Sequence, residues 1–192
     1  MSFSEAFEDT MRIEGSYSNR EDDRGGETFA GITRKWFGGW KGWNIVDYHK
    51  KEHRTNFVHY LDNDTELAEL VKQFYLEEIW LMHRIDDVNS YSPKIAGKLF
   101  DQMVNFGDKR PSKWFQRTLN ILNRNQKNYP DIIDDGNIGP KTIKTFQLAL
   151  KTNPIKRIMN VLRSFQGWEY IRIMEGDPTQ EANIGWMDRI EL

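Results

Sequence analysis

Apolar residues in this chain return at every third or fourth position and almost nowhere at every second. Such a pattern builds helices and leaves little material for a sheet. Leu67, Leu70, Val71, Phe74, Ile79 and Trp80 share one broad face that begins just after Asp64 and Thr65. Ile95, Leu99 and Met103 line one side of a helix announced by Ser92-Pro93, a cap followed by a first-turn proline. At the start, Ser2 and Glu5 have capping-box spacing, and Phe3, Phe7 and Met11 recur every four residues. That helix is expected to run to about Glu14, where Gly15 offers a stop. Further helices are expected over 114–123, 140–151 and 154–175.

Between Tyr17 and Thr33 the composition turns to Asn, Asp, Arg and Gly, which is turn and short-hairpin chemistry. Any sheet is therefore expected before residue 36. The fold class that follows is mainly α, with a small loop or hairpin segment. A chain of 192 residues suits one compact domain, or one domain with a small appended module. The polar stretch 123–135, with Pro130, is expected to be a surface loop.

The chain has no cysteine, which excludes disulfides, thiol catalysis and thiolate zinc sites. Its formal net charge of -2 gives no overall pull toward nucleic acid, and no nucleic-acid motif is present. No stretch approaches the roughly 18 apolar residues of a membrane-spanning helix, so no stable membrane insertion is expected. The first residues show neither a basic nor an apolar leader segment, so synthesis in the cytoplasm is expected. Any work outside the membrane would then require another exit route, such as a holin-type pore or specialised export.

One constellation has the residue types for glycosidic chemistry. Glu14 stands at the end of the first helix, and Asp22, Asp23, Glu27 and Thr28 lie in the loop that follows. A carboxyl at a helix end can face carboxyls on a returning hairpin. Glycoside hydrolysis needs such a pair: one acid protonates the leaving oxygen and one carboxylate activates water or attacks the sugar. The apolar neighbours Met11, Ile13 and Tyr17 favour a protonated Glu14. If Asp23 activates water, its carboxyl should stand about 6.5–9.5 Å from that of Glu14, whereas ~5 Å would indicate a covalent intermediate. Tyr17, Trp36, Trp40 and Trp43 are candidates for stacking on sugar rings, with Tyr17 favoured for its place three residues after Glu14.

The run Glu14-Gly15-Ser16-Tyr17-Ser18, then Asp23-Arg24-Gly25-Gly26-Glu27-Thr28, then Gly31-Ile32-Thr33 resembles the signature of the "EGGY" N-acetylmuramidases, glycoside hydrolase family 108. That family includes phage endolysins and proteins labelled secretion activators. Ser16 and Arg24 depart from the family's Gly and Pro, and neither change removes a functional group. Phe100-Asp101-Gln102-Met103-Val104-Asn105-Phe106-Gly107 resembles the family's Phe-Asp-x-Ala-Val-Asn-x-Gly helix. Asp135-Gly136-Asn137-Ile138-Gly139-Pro140-Lys141-Thr142 is similar to a motif of its predicted peptidoglycan-binding region, and Gly167-Trp168 and Gly185-Trp186 to its closing segments.

The resemblance implies a lysozyme-like fold, with a muramidase region at 1–107 and a peptidoglycan-binding helical region at 108–192 packed on the first. It implies cleavage of the β-1,4 bond between N-acetylmuramic acid and N-acetylglucosamine in peptidoglycan glycan strands. Glu14 is then the general acid. The order Glu, Asp, Thr is similar to that of phage lysozymes and selects Asp23 as second carboxylate, with Thr28 holding water or orienting Asp23. Tyr17, Trp36 and Asn105 are the implied substrate contacts, and no metal or cofactor is required. The alternative is a non-catalytic wall-binding or secretion-regulating protein on the same fold.

His49-Lys50-Lys51-Glu52-His53 fits the H-x-x-E-H pattern of inverted zinc peptidases. A zinc helix of that kind needs an apolar back face, and Lys50, Lys51, Arg54, Thr55 and Asn56 suggest a solvated segment instead.

Overall fold

The structure is a computed structural model that describes residues 2–11, 16–19 and 26–191. The chain forms two compact units, one of residues 7–78 and one of residues 1–6 with 79–192. Helix α1 (Phe3–Met11) contributes its first turn to the larger unit and its remainder to the smaller. Ser2 and Glu5 close the expected capping box, each accepting the other's backbone N–H.

In the smaller unit, three two-residue strands form an antiparallel sheet: β1 (Tyr17–Ser18), β2 (Thr28–Phe29) and β3 (Ile32–Thr33). The β2–β3 turn places Ala30 and Gly31 at φ 46° and 79°, both left-handed, as a two-residue hairpin of the right twist requires. Glycine is needed at 31 for a second reason. A Cβ there would collide with the Tyr75 hydroxyl, which donates to the Ala30 carbonyl at 2.8 Å. Helices α2 (Gly42–His53), α3 (Phe57–Asp62) and α4 (Thr65–Tyr75) complete the unit. Asp64 caps α4 by accepting from the Leu67 N–H at 2.8 Å. Phe29, Ile32, Trp43, Val46, Leu61, Leu67, Val71 and Tyr75 form its buried core.

Helix α2 departs from the expected solvated segment. Trp43, Val46 and His49 make a narrow buried stripe, while Tyr48, Lys51 and Glu52 face outward. His49 is nine-tenths buried, and its Nε2 stands 2.9 Å from Asp64 Oδ2, tying α2 to the cap of α4. The His53 ring lies flat on Tyr60 at 3.5 Å.

After α4 the chain passes through one π-helical stretch, Leu76–Leu81, inside which the two units meet in sequence. The larger unit then holds α5 (Ile85–Asn89), α6 (Pro93–Phe106), α7 (Lys109–Leu122), α8 (Pro140–Thr152), α9 (Ile155–Gly176) and a 3-10 segment at Pro178–Glu191. Ser92 caps α6 ahead of Pro93, and Pro140 opens α8, both as the sequence signals. Helix α7 begins five residues earlier than expected, with Pro111 in its first turn, where a missing N–H costs nothing. Gly136 holds φ 78° between α7 and α8, and its N–H donates to Gln116 Oε1 at 2.7 Å.

A buried polar cluster joins the ends of this unit. Asp101, on α6, accepts from Arg189 Nη2 at 3.2 Å and from Lys98 Nζ at 3.4 Å. Lys98 Nζ also donates to the carbonyls of Arg189 and Ile190, and Gln166 Nε2 approaches Asp101 from α9 at 3.4 Å. Burial pulls the Lys98 ammonium down to about 8 against the raising influence of Asp101, so it remains charged at neutral pH. Two of the sequence's recognisable motifs, around Asp101 and around Trp186 to Arg189, are thus two halves of one buried contact.

Candidate functional site

The sheet of the smaller unit carries the described part of the candidate site. Tyr17 pairs with Phe29 and Ser18 with Thr28, so the sheet brings Tyr17 and Thr28 onto adjoining strands. Glu14, Asp22 and Asp23 lie outside the described residues, and so does the expected carboxyl separation. Thr28 is half-buried, and its hydroxyl donates to the Gly26 carbonyl at 3.2 Å. The oxygen keeps its lone pairs to accept a hydrogen bond.

Glu27 is the hub. Its Oε1 accepts from the Tyr17 hydroxyl at 2.8 Å and from Lys50 Nζ at 2.7 Å. Its Oε2 stands 2.7 Å from Arg34 Nε, an ionic contact too bent to count as a hydrogen bond. Arg34 also grips Asp47 with two N–H groups, at 2.9 and 2.6 Å, and lies over the Trp43 ring at 4.4 Å. Lys50 and Asp47 are on α2, so this network fastens the sheet to the helix behind it. The Tyr17 ring meets Phe57 edge-on at 4.9 Å.

Burial works to raise the Glu27 carboxyl, but the hydrogen bonds from Lys50 and Tyr17 and the charges of Lys50 and Arg34 outweigh it and lower it. Burial and the Glu27 contact both raise the Tyr17 phenol, which stays protonated. An ionised carboxylate held by Tyr17, Lys50 and Arg34 has no proton to give to a leaving oxygen, and it anchors the sheet to α2.

Replacing Glu27 by Gln keeps the size but sets an amide N–H against Arg34 and removes the charge that Lys50 meets. We expect a loss of about 1–3 kcal/mol at pH 7, read as a lower melting temperature. Because the folded value is lowered below the ordinary 4.5, the Glu27 contribution is present above 4.5 and lost as pH falls through the lower folded value. The gap between wild type and Glu27→Gln should accordingly close on acidification, and a gap that persists unchanged would contradict this role.

The aromatic candidates divide by exposure. Trp36 is 70% exposed with the Lys35 ammonium 5.3 Å over its ring, which leaves a face available to a ligand. Trp43 is core, its indole N–H donating to the Phe37 carbonyl. Trp40 packs against Phe29, Trp43 and Phe74. Asn105 belongs to the other unit, where its amide donates to the Asp101 carbonyl and carboxylate at 2.6 and 3.1 Å.

The ion-pair partners Arg34, Asp47 and Lys50 were not signalled by local spacing, since Lys50 is 23 positions from Glu27. Among the described residues no three His, Asp or Glu side chains are grouped so as to hold a metal ion. None of the helices there is long and apolar enough to cross a membrane.

Comparison with known proteins gives a family and a fold. The model of the family described as Glycosyl hydrolase 108 matches residues 7–107, and that of the family described as Predicted Peptidoglycan domain matches 110–191. A search of the curated proteins returns no match. Ten chains of solved structures match. One of them, SagA of Brucella abortus, aligns with a TM-score of 0.63 at 22% identity, over 98% of this chain and 89% of its own. At that identity the likeness is one of fold, mainly α and lysozyme-like with a small hairpin sheet.

Proposed function

We propose that this chain, which belongs to the glycosyl hydrolase 108 family, cleaves the β-1,4 bond between N-acetylmuramic acid and N-acetylglucosamine in peptidoglycan. The observation that carries the reading is the family match over 7–107, which encloses both the Glu14 motif and the sheet anchored by Glu27. In this reading Glu14 protonates the leaving oxygen and Asp23 activates the attacking water. Thr28, with its hydroxyl proton committed to Gly26, keeps lone pairs that accept from that water. The exposed Trp36 face, together with Tyr17, contacts the glycan.

Residues 1–107 carry the chemistry in this account, and residues 108–192 hold the wall. The larger compact unit spans that boundary, because α6 packs with α9 through Gln102 and the Asp101 cluster and with α7 through the Phe106 and Trp114 rings. The test is the clearing of a suspension of purified cell walls by wild type and by Glu14→Gln. A wild-type chain that binds walls without clearing them would instead support a non-catalytic wall-binding protein.

A further inference from the structure

The net charge of the chain conceals a strong asymmetry. Between Lys109 and Trp168 stand twelve Lys and Arg and only three acids, Asp131, Asp134 and Asp135. Two of those acids are occupied locally: Asp131 accepts from the Asn123 amide at 2.6 Å, and Asp135 from Gln116 and from the Asn137 N–H. A basic region within a chain of net charge -2 points to an anionic partner for that region.

A cavity of about 640 Å³ opens in this region, at the ends of α7 and α8 and the first turn of α9. That volume suits a ligand of several residues. Arg124 and Arg157 line it, no acid does, and Ile121, Asn128 and Thr152 supply apolar, amide and hydroxyl surface. One wall orients the Arg157 guanidinium and the other fixes the backbone that carries Arg124. Asn153, buried, donates its amide to the Leu122 and Ala149 carbonyls and so covers the negative ends of α7 and α8. Its Oδ1 accepts from Arg157 Nη1 at 3.0 Å, which orients that fork.

On the other side, Arg124, Asn125 and Gln126 are three consecutive non-glycine residues with φ 58°, 55° and 62°. L-residues disfavour that conformation at each step, and it persists only where its surroundings over-determine it. Buried Asn123 does so, accepting from the Gln126 N–H on its side chain and from the Asn128 N–H on its carbonyl.

We propose that this cavity binds the carboxylates of the peptide stems of peptidoglycan, with Arg124 and Arg157 as the carboxylate-binding residues. The chemistry selects this occupant over others. Arginine forks match carboxylates in two-point fashion. Ile121, 58% exposed, offers apolar surface to alanine methyl groups, and Asn128 and Thr152 offer partners to peptide amides. The lining contains no aromatic ring, so it has no platform for stacking a sugar or a nucleobase. The inference rests on peptidoglycan being the partner, as proposed above, but not on cleavage.

The test is a chemical-shift titration of the full chain with a soluble stem peptide that carries free carboxylates and no sugar. The same peptide with its carboxylates amidated, a poly(glycerol phosphate) and a single-stranded oligonucleotide serve as the other arms. The acid peptide should shift residues 124–128 and 153–157 and bind at least about tenfold tighter than the amidated one. Arg124→Gln/Arg157→Gln should erase that preference with an unchanged melting temperature. Should the double variant melt early, Arg124→Gln alone decides, since that side chain is exposed.

Equal binding of both peptides, no binding of the acid peptide, or a retained preference in the variants overturns the proposal. Tighter binding of the phosphate polymer or the oligonucleotide than of the acid peptide overturns it as well. The peptide contains no glycosidic bond. A chain that binds it but fails to clear walls therefore keeps this site and loses the hydrolase reading.

Discussion

Glu14→Gln should abolish wall lysis while leaving the molecule folded. The amide keeps the size and much of the hydrogen bonding of the carboxyl but has no proton to give to the leaving oxygen. General acid catalysis is typically worth about 10²- to 10⁴-fold in rate, so the variant should fall by a factor in that range. Sugar binding and thermal unfolding should stay near wild type. Asp23→Asn should show a comparable loss and Asp22→Asn should not, which assigns the second carboxylate by activity. His53→Ala, which removes a ring stacked on Tyr60, should lyse walls at close to the wild-type rate. A chelator-sensitive lysis abolished by His53→Ala and preserved in Glu14→Gln would transfer the chemistry to the histidine helix.

Asp101→Asn should produce the largest loss of stability. Asp101 is 2% exposed and answers two buried cations, Lys98 and Arg189, along with amide donors from Asn105 and Gln166. Removing its charge leaves both cations uncompensated out of water, which costs about 3–5 kcal/mol in comparable buried pairs. For a chain of this size that corresponds to a melting temperature lower by roughly 6–20 °C. Lys98→Met should cost less, because Asp101 retains Arg189 and an apolar side chain suits the site. If Asp101→Asn melts with wild type, the cluster does not hold the C-terminal segment to α6 as described.

What the sequence revealed was set by distance along the chain. Ser92 is legible as a cap, and Asp64 as the approximate start of a helix, because a cap and the N–H groups it serves lie within three residues. The Ala30-Gly31 turn was legible as turn chemistry, although the Tyr75 hydroxyl that makes glycine necessary comes from 45 positions away. Helix α2 was hidden because its buried stripe is only Trp43, Val46 and His49, and a buried histidine in a lysine-rich stretch reads as polar surface. The paired role of His49 depends on Asp64, fifteen residues on.

Glu27 shows the same limit at the candidate site. Its residue type and its place beside Thr28 fit a catalytic carboxylate, and only Lys50 and Arg34 in space identify it as an anchor. The Asp101–Arg189 contact spans 88 positions and joins two motifs that the sequence displays separately.

If this chain hydrolyses the glycan at N-acetylmuramic acid, the new chain ends report it most directly. Purified peptidoglycan digested with the wild-type chain, reduced with borohydride and analysed by mass spectrometry should yield fragments ending in reduced N-acetylmuramic acid. Fragments ending in reduced N-acetylglucosamine, anhydro-muramic ends that borohydride leaves unreduced, or no fragments at all would contradict the account.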